Sequence, residues 1–573
     1  MIKLNKLKRL FNKYKIDGYI IPKNDEFFGE YIPESKDRLK YISNFSGSYG
    51  FALILKKKNY LFVDGRYSLQ AKIQSGKDFN IVTIPKKLPK NVLKNKKISI
   101  GFDPKLHTEL MISRFFKNTS CDLVPINKNL ISQIWKNKKI NKLNKFYKLN
   151  NKDSGQSSKS KIKKVKKLLN ENKINLQFVS SSENVAWLLN IRGSDSEFTP
   201  IPNSYLIISK DKVYFFCDLK KIDINLKKSL DLDNVEFTDI HYIENFLLKL
   251  KDCKIQLDST SCSVFFKNII KKNNIIVEKP DPIYLLKSIK NKIEIRNTIK
   301  THIYDGAALT KFLFWVKNNF LKKKISEIDA QEKLLLFRRN NKNFKFLSFP
   351  TISGSGPNGA IIHYKANKIS NRVLKKGDIY LVDSGGQYSF GTTDVTRTIS
   401  LDNKEMRIKN IFTRVLKGHI AVSNYKLTNK TKGSEIDIAA RKPLKEINLN
   451  YAHGTGHGVG YFLNVHEGPH AISQGNNIKF KEGMIVSNEP GYYESGKFGI
   501  RIENLIIVKK IKKILAFENL TLAPIDKNLI QKSLLSKTEV NWLNKYHSKV
   551  FNNLKKFMNK PELVHLKKAC SNI

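Results

Sequence analysis

The sequence predicts three successive domains of mixed α/β and α+β structure, with the chemistry concentrated in the third. Its 573 residues are too many for one ordinary core of roughly 100 to 200 residues. Helical and strand-like hydrophobic periods alternate twice over the first half. Nearly all the glycine-rich, histidine-rich and carboxylate-rich stretches follow a long helical pattern at Ile293–Lys317.

Residues 1–149 form the first predicted domain. Apolar residues recur at helical spacing over Lys3–Lys15, and Tyr19–Pro22, Phe51–Leu55 and Tyr60–Val63 read as strands, the last ending at an Asp64-Gly65 turn. The basic, amphipathic opening also fits a transit peptide, but it runs directly into the strand-like Asp17–Pro22, so a helix of the first domain is expected. The polar stretch Asn150–Ser158 breaks both periods and reads as a linker or loop. Residues 150–287 repeat the plan, with a helix at Ile162–Asn172, strands near Leu176–Val179, Tyr205–Ser209 and Val213–Cys217, and a helix near Ile243–Leu250. An echo between Tyr41–Ser48 (YISNFSGS) and Trp187–Ser194 (WLLNIRGS) is consistent with duplication. The third domain is expected over 288–510. An extension over 511–573, with a lysine-rich helical tail at about 530–570, is expected to pack on it.

Hydrophobic residues make up 40% and aromatics 10%, enough to bury several cores, which excludes a mainly disordered chain. No stretch approaches the roughly 20 apolar residues that span a bilayer, and no apolar run with a small-residue cleavage site follows the start. Neither membrane insertion nor secretion is expected. The five cysteines, Cys121, Cys217, Cys253, Cys262 and Cys570, are odd in number and outside metal-type spacings, which fits a reducing cytoplasm. A formal net charge of +54 points by itself to nucleic acid or an anionic surface. Its lysines, however, are spread among abundant asparagine and isoleucine rather than gathered into an arginine-rich stripe. All three residue types have AT-rich codons, so compositional bias is the simpler reading and nucleic acid is not an expected partner.

Chemistry enters with the apolar run Asp378–Gly386, which ends on Asp383 and turns, and with Thr392–Thr398, which presents Asp394. Two adjacent hairpin strands would bring these acids together, although acids at strand ends more often cap turns. His453–Gly460 (HGTGHGVG) then places two imidazoles four apart among four glycines. So much glycine disfavours a helix, so a loop or strand is expected. A ligand loop, a turn with satisfied histidines and a phosphate cradle all remain open for this stretch. Ser487–Tyr492 and Gly499–Asn504 add Glu489 and Glu503. Singly, each is ordinarily a surface charge. Together, four carboxylates and one imidazole balance two divalent cations, and a thiolate-free, oxygen-rich set suits manganese, cobalt or iron as well as zinc.

The order Asp383, Asp394, His457, Glu489, Glu503 resembles the dinuclear site of the pita-bread metallopeptidases, and most of the chain is similar to their three-domain aminopeptidase P group. The similarity includes Gly356–Tyr364, Leu463–Pro469, Glu489–Glu494, Phe62–Tyr67 and Val185–Asp195. It implies two related creatinase-like α/β domains, expected to shape the cleft, ahead of a pita-bread catalytic domain. By position it also implies that Asp383 chelates one metal, that His457 and Glu489 hold the other, and that Asp394 and Glu503 bridge them. A metal-bridging hydroxide would attack the scissile carbonyl, with Glu489 shuttling the proton to the leaving proline nitrogen. His363, His453 and His466 would hydrogen-bond substrate and transition state, Arg501 would orient a metal carboxylate, and Arg66 would reach the substrate from the first domain. The implied substrates are peptides with proline second, the implied metal is most often manganese, and a homodimer is expected. Two departures, Asn488 where aspartate is common and Tyr49 among small residues, touch no proposed ligand.

Competing readings are a prolidase acting on Xaa-Pro dipeptides, which the three-domain length opposes, and methionine aminopeptidase, which lacks both large N-terminal domains. Creatinase-like amidinohydrolases share the fold but not the metals. A non-catalytic relative binding nucleic acid or another acidic partner would be expected to have lost ligands, and here all five positions are filled.

Overall fold

The computed structural model describes residues 2–136, 143–231, 234–512 and 514–573. The chain folds as two compact units, Met1–Asn151 with Gln156–Tyr284, and Lys152–Gly155 with Leu285–Ile573.

The first unit holds two six-stranded sheets. In the first, β1 (Gly18–Pro22), β2 (Phe51–Leu55), β3 (Asn59–Asp64), β4 (Asn80–Ile84), β5 (Ser99–Phe102) and β6 (Asp122–Pro125) lie in the order β4-β3-β2-β1-β5-β6. The second, from β7 (Leu176–Val179), β8 (Tyr205–Ser209), β9 (Val213–Cys217), β10 (Val235–Asp239), β11 (Lys254–Leu257) and β12 (Ile275–Glu278), has the order β10-β9-β8-β7-β11-β12. Pairing directions match too. The central strand of each sheet runs antiparallel to the next strand in sequence and parallel to the fifth strand of its own sheet. Full burial of β1 and β2 explains why they read as continuous apolar runs rather than alternating ones, and in β7 the buried Gln177 is held by a hydrogen bond to Asp281.

The sequence echo has a structural cause. Asn44 and Asn190 each end a helix in the left-handed conformation, at φ 63° and 54°, a place where asparagine is tolerated because its short polar side chain relieves the strain. The opening segment is a domain helix, α1 (Ile2–Lys13). Its Leu4, Leu7 and Phe11 enter the core with Ile54 and Phe45, as expected for a helix of the first domain.

Asn150–Ser158 is not a free linker. Asn151–Ser154 makes a helical turn, and its carbonyls are held by the second unit: Asn291 Nδ2 donates to Ser154 O at 2.8 Å and Tyr461 Oη donates to Asp153 O at 2.7 Å. Polar composition hid this because the stretch is fixed through its backbone carbonyls, which composition does not report.

The second unit opens with α2 (Lys292–Asn319), capped by Asn291 and Glu294 in a reciprocal box. A three-stranded sheet follows from β13 (Ile352–Ser355), β14 (Ile379–Ser384) and β15 (Val395–Ser400), with β14 central. Helices α3 (Met406–Ser423) and α4 (Gly433–Lys445) precede a five-stranded sheet. That sheet contains β16 (Gly456–Gly458), β17 (Glu467–Ile472), β18 (Ile485–Asn488), β21 (Asn504–Ile511) and β22 (Ile514–Asn519), in the order β17-β16-β18-β21-β22. Between β18 and β21 a hairpin forms from β19 (Gly491–Glu494) and β20 (Phe498–Arg501). Two last helices, α5 (Lys537–Leu554) and α6 (Lys560–Cys570), bury Leu543, Tyr546, Val550 and Leu566 in one core with Ile500, Ile502 and Phe412.

Candidate metal centre

Each acid of the set sits at a strand end. Asp383 occupies β14, and β15 runs antiparallel beside it with Asp383 opposite Thr396, so Asp394, one residue before β15, lies next to Asp383. His457 is the middle residue of β16. The flanking glycines are there for space: a Cβ at Gly456 would stand 1.8 Å from Ser487 O, and one at Gly458 would stand 2.3 Å from Glu467 O. The stretch HGTGHGVG is therefore a strand wedged between two others, rather than a phosphate cradle. Glu489 follows β18, and its N–H donates to Thr455 O at 2.8 Å. Glu503 fills the short link between β20 and β21.

Donor atoms of Asp394, His457 and Glu503 lie within 4.8 Å of one another. His457 Nε2 stands 3.3 Å from Asp394 Oδ2 and 3.5 Å from Glu489 Oε1. Its Nδ1 lies 2.9 Å from Gly458 O, which assigns the N–H there and turns the Nε2 lone pair into the centre. Asp383 joins through Arg501, whose Nη2 donates to Asp383 Oδ2 at 2.6 Å while its Nε donates to Thr396 Oγ1 at 3.0 Å. Thr396 Oγ1 in turn donates to Glu503 Oε2 at 2.8 Å. Ser487 Oγ donates to Glu489 Oε1 at 3.0 Å.

The electrostatics of this cluster call for cations. Burial, against the pull of Arg501, raises Asp383 to about 6, with Asp394 and Glu489 adding repulsion. Glu503 is pushed well above the carboxylate range by burial and then by Asp394, Glu489 and Asp383. Burial lowers His457, yet the Asp394 and Glu489 carboxylates outweigh it and lift the imidazole to about 9. Asp383 Oδ1 is buried without a protein hydrogen-bond partner. An orphaned carboxylate oxygen, mutually repelling acids and an imidazole nitrogen turned toward them are the donor set of a divalent-cation site.

The histidines flank this cluster. The His466 ring lies 4.3 Å from that of His457. His453 has Nδ1 at 2.7 Å from Gly454 O, and its Nε2 accepts from Tyr493 Oη at 2.9 Å. Tyr493 Oη itself accepts from Arg501 Nη1 at 2.5 Å, which makes a relay from Arg501 to His453. His363, half-buried, follows Ile362, whose carbonyl lies 3.5 Å from Arg501 Nη2. Arg66 belongs to the first unit, where its Nε and Nη2 grip Asp64 at 3.1 and 2.7 Å.

Three positioning residues escape the sequence. Tyr493 and Thr396 lie inside stretches that sequence comparison singles out, yet their role arises only from cross-strand neighbours. Arg397 is fully buried and donates to the carbonyls of Thr396, Glu503, Ala523 and Pro524, to Asn504 Oδ1 and to Tyr546 Oη, all between 2.7 and 3.0 Å. An arginine flanked by threonines in a strand was the available signal, since a strand buried on both faces cannot leave it in water.

Comparison with known proteins agrees in extent and order. Residues 3–131 and 137–294 match models of the creatinase/prolidase N-terminal domain, residues 297–510 match metallopeptidase family M24, and residues 513–573 match the C-terminal region of that peptidase. A probable Xaa-Pro aminopeptidase P of Laccaria bicolor is 37% identical over 96% of this chain and 89% of its own. Xaa-Pro aminopeptidase 1 of Dictyostelium discoideum is 36% identical over 96% and 92%. The crystal structure of an X-prolyl aminopeptidase from Caenorhabditis elegans, described as a cytosolic enzyme with a di-nuclear active site, superposes with a TM-score of 0.95 at 30% identity, covering 100% of this chain and 99% of that one.

Proposed function

This chain belongs to metallopeptidase family M24 and is a metal-dependent aminopeptidase, and we propose from that premise that it releases the first residue of peptides whose second residue is proline. The observation that carries the proposal is the convergence of Asp394, His457 and Glu503 donor atoms within 4.8 Å, in a chain whose relatives bear that activity in their names over nearly their whole length.

Two divalent cations belong to the centre. Asp383 would hold one, His457 and Glu489 the other, and Asp394 and Glu503 both; manganese is the proposed metal. When bound, such ions polarise a carbonyl and lower the pKa of water to near neutrality. The chain's own residues do the rest. Glu489, whose pKa is raised by burial, takes a proton from the attacking water and delivers it to the departing prolyl nitrogen. His363 and His466 donate to substrate oxygens. His453 joins them by exchanging its Tyr493 contact. Arg501 fixes Asp383 through a charge-assisted bond.

The proposed location is the cytoplasm, as for the Caenorhabditis elegans enzyme, and the proposed assembly is a homodimer. All five cysteines are free, and among the described residues no helix is long and apolar enough to cross a membrane. The test is hydrolysis of Xaa-Pro-Xaa, Xaa-Pro and Xaa-Ala-Xaa peptides by metal-stripped protein, with and without manganese, beside Glu489→Ala. Manganese-dependent release from Xaa-Pro-Xaa alone is expected, with the variant reduced by about 10²-fold or more. Cleavage of the dipeptide alone would move the assignment to prolidase.

A further inference from the structure

Three of the four cluster carboxylates receive a hydrogen bond from a protein donor: Thr396 to Glu503, Ser487 to Glu489 and Arg501 to Asp383. Asp394, among the described residues, has only the His457 imidazole. Its backbone is fixed all the same. Thr393, the preceding residue, donates its N–H to Gly386 O at 2.9 Å, accepts from Gly386 N–H on Oγ1 at 2.9 Å, and accepts from Ser348 Oγ at 2.9 Å.

Behind Asp394 lies a cavity of about 10 Å³, lined by His302, Asp305, Gly306, Thr393, Asp394 and Leu522 among others. That is room for a single water. His302, on α2, is 2% exposed. Its Nδ1 stands 2.8 Å from Thr298 O, which places the ring proton there, and its Nε2 is buried without a protein hydrogen-bond partner. Burial lowers its pKa, so the ring is neutral and Nε2 offers a lone pair. Asp305 is already engaged by Arg338 and Tyr388, whereas His302 Nε2 has no protein partner. Gly306 keeps the space narrow, since a Cβ there would stand 2.2 Å from Leu522 O.

We propose that one buried water occupies this cavity, donating one hydrogen to His302 Nε2 and the other to the Asp394 carboxylate, and that His302 is thereby a positioning residue for Asp394. The water supplies the donor that the protein gives to the other three acids directly. It ties the carboxylate to a 28-residue helix rather than to the short turn that bears it. Hydrogen bonds of this kind hold a ligating carboxylate in one orientation, and their loss typically costs 10- to 100-fold in metal affinity.

The inference rests on Asp394 as a metal ligand, so the experiment includes Asp394→Asn. Manganese affinity of the full-length protein is measured by chelator competition for wild type, His302→Leu, His302→Gln and Asp394→Asn, with melting temperatures of the metal-free proteins. His302→Leu should weaken binding about tenfold or more, and His302→Gln, which keeps an acceptor, should stay within about threefold of wild type. At saturating manganese, KM for peptide should be unchanged in both. A crystal structure of the metal-free protein should show ordered density between Nε2 and the carboxylate. Wild-type affinity in His302→Leu, equal losses in the two His302 variants, or no ordered water would overturn the inference. Loss of binding in Asp394→Asn alone leaves the metal-site reading standing without it, whereas wild-type binding in Asp394→Asn sinks both.

Discussion

Arg501 is the residue on which the centre's geometry most depends, since one guanidinium touches Asp383, Thr396 and Tyr493. Arg501→Gln should weaken manganese binding by about 10- to 100-fold, read by chelator competition, because Asp383 would be left buried without its cation. Titration gives a second prediction, with the same sign for both groups. Asp383, raised to about 6, stabilises the metal-free fold below about 4 and loses that contribution as pH rises through about 6. His457, raised from 6.5 to about 9, contributes fully below 6.5 and loses it as pH rises through about 9. Metal competes with these protons. The gap between manganese-loaded and metal-free melting temperatures should therefore widen from pH 5 to pH 9 in scanning calorimetry. The candidate ligands were legible because acids and histidines beside glycine and apolar runs are chemically conspicuous. Tyr493, Thr396 and Arg397 were not, because what they do depends on which strand lies opposite.

At the scale of elements, β16 shows how far pattern can lead. Its glycine content correctly argued against a helix, but the reason for each glycine lies in neighbouring strands that sequence spacing does not reveal. Gly456→Ala should force β16 away from β18, costing about 1 to 3 kcal/mol by overpacking and lowering metal affinity together with the melting temperature. Strands β2, β7, β8 and β9 were readable to the residue, since burial on both faces makes most of each strand apolar. Boundaries of α1 and α2 shifted by one or two residues, as helix ends do when capping rather than periodicity decides them. The turn at Asn151–Ser154 was missed because it is held by carbonyls, and a carbonyl is the same in every residue.

For the whole molecule, manganese at 100 times its Kd should stabilise the fold by about 2.7 kcal/mol per site, visible as a rise in the calorimetric melting temperature. Among the described residues, the interactions given above for the centre use Arg501 and Arg397 as cations and no lysine. Arg397 also joins late chain to early chain. It holds Glu503 through the carbonyl while reaching Ala523, Pro524 and Tyr546. During synthesis Thr396 and Arg397, which contact Glu503, precede it, whereas Ala523, Pro524 and Tyr546, which hold Arg397, emerge after every ligand. A chain ending before Tyr546 would keep all five ligands yet hold Arg397 by one acceptor fewer, so the far end of the chain bears on the metal centre through a single buried guanidinium.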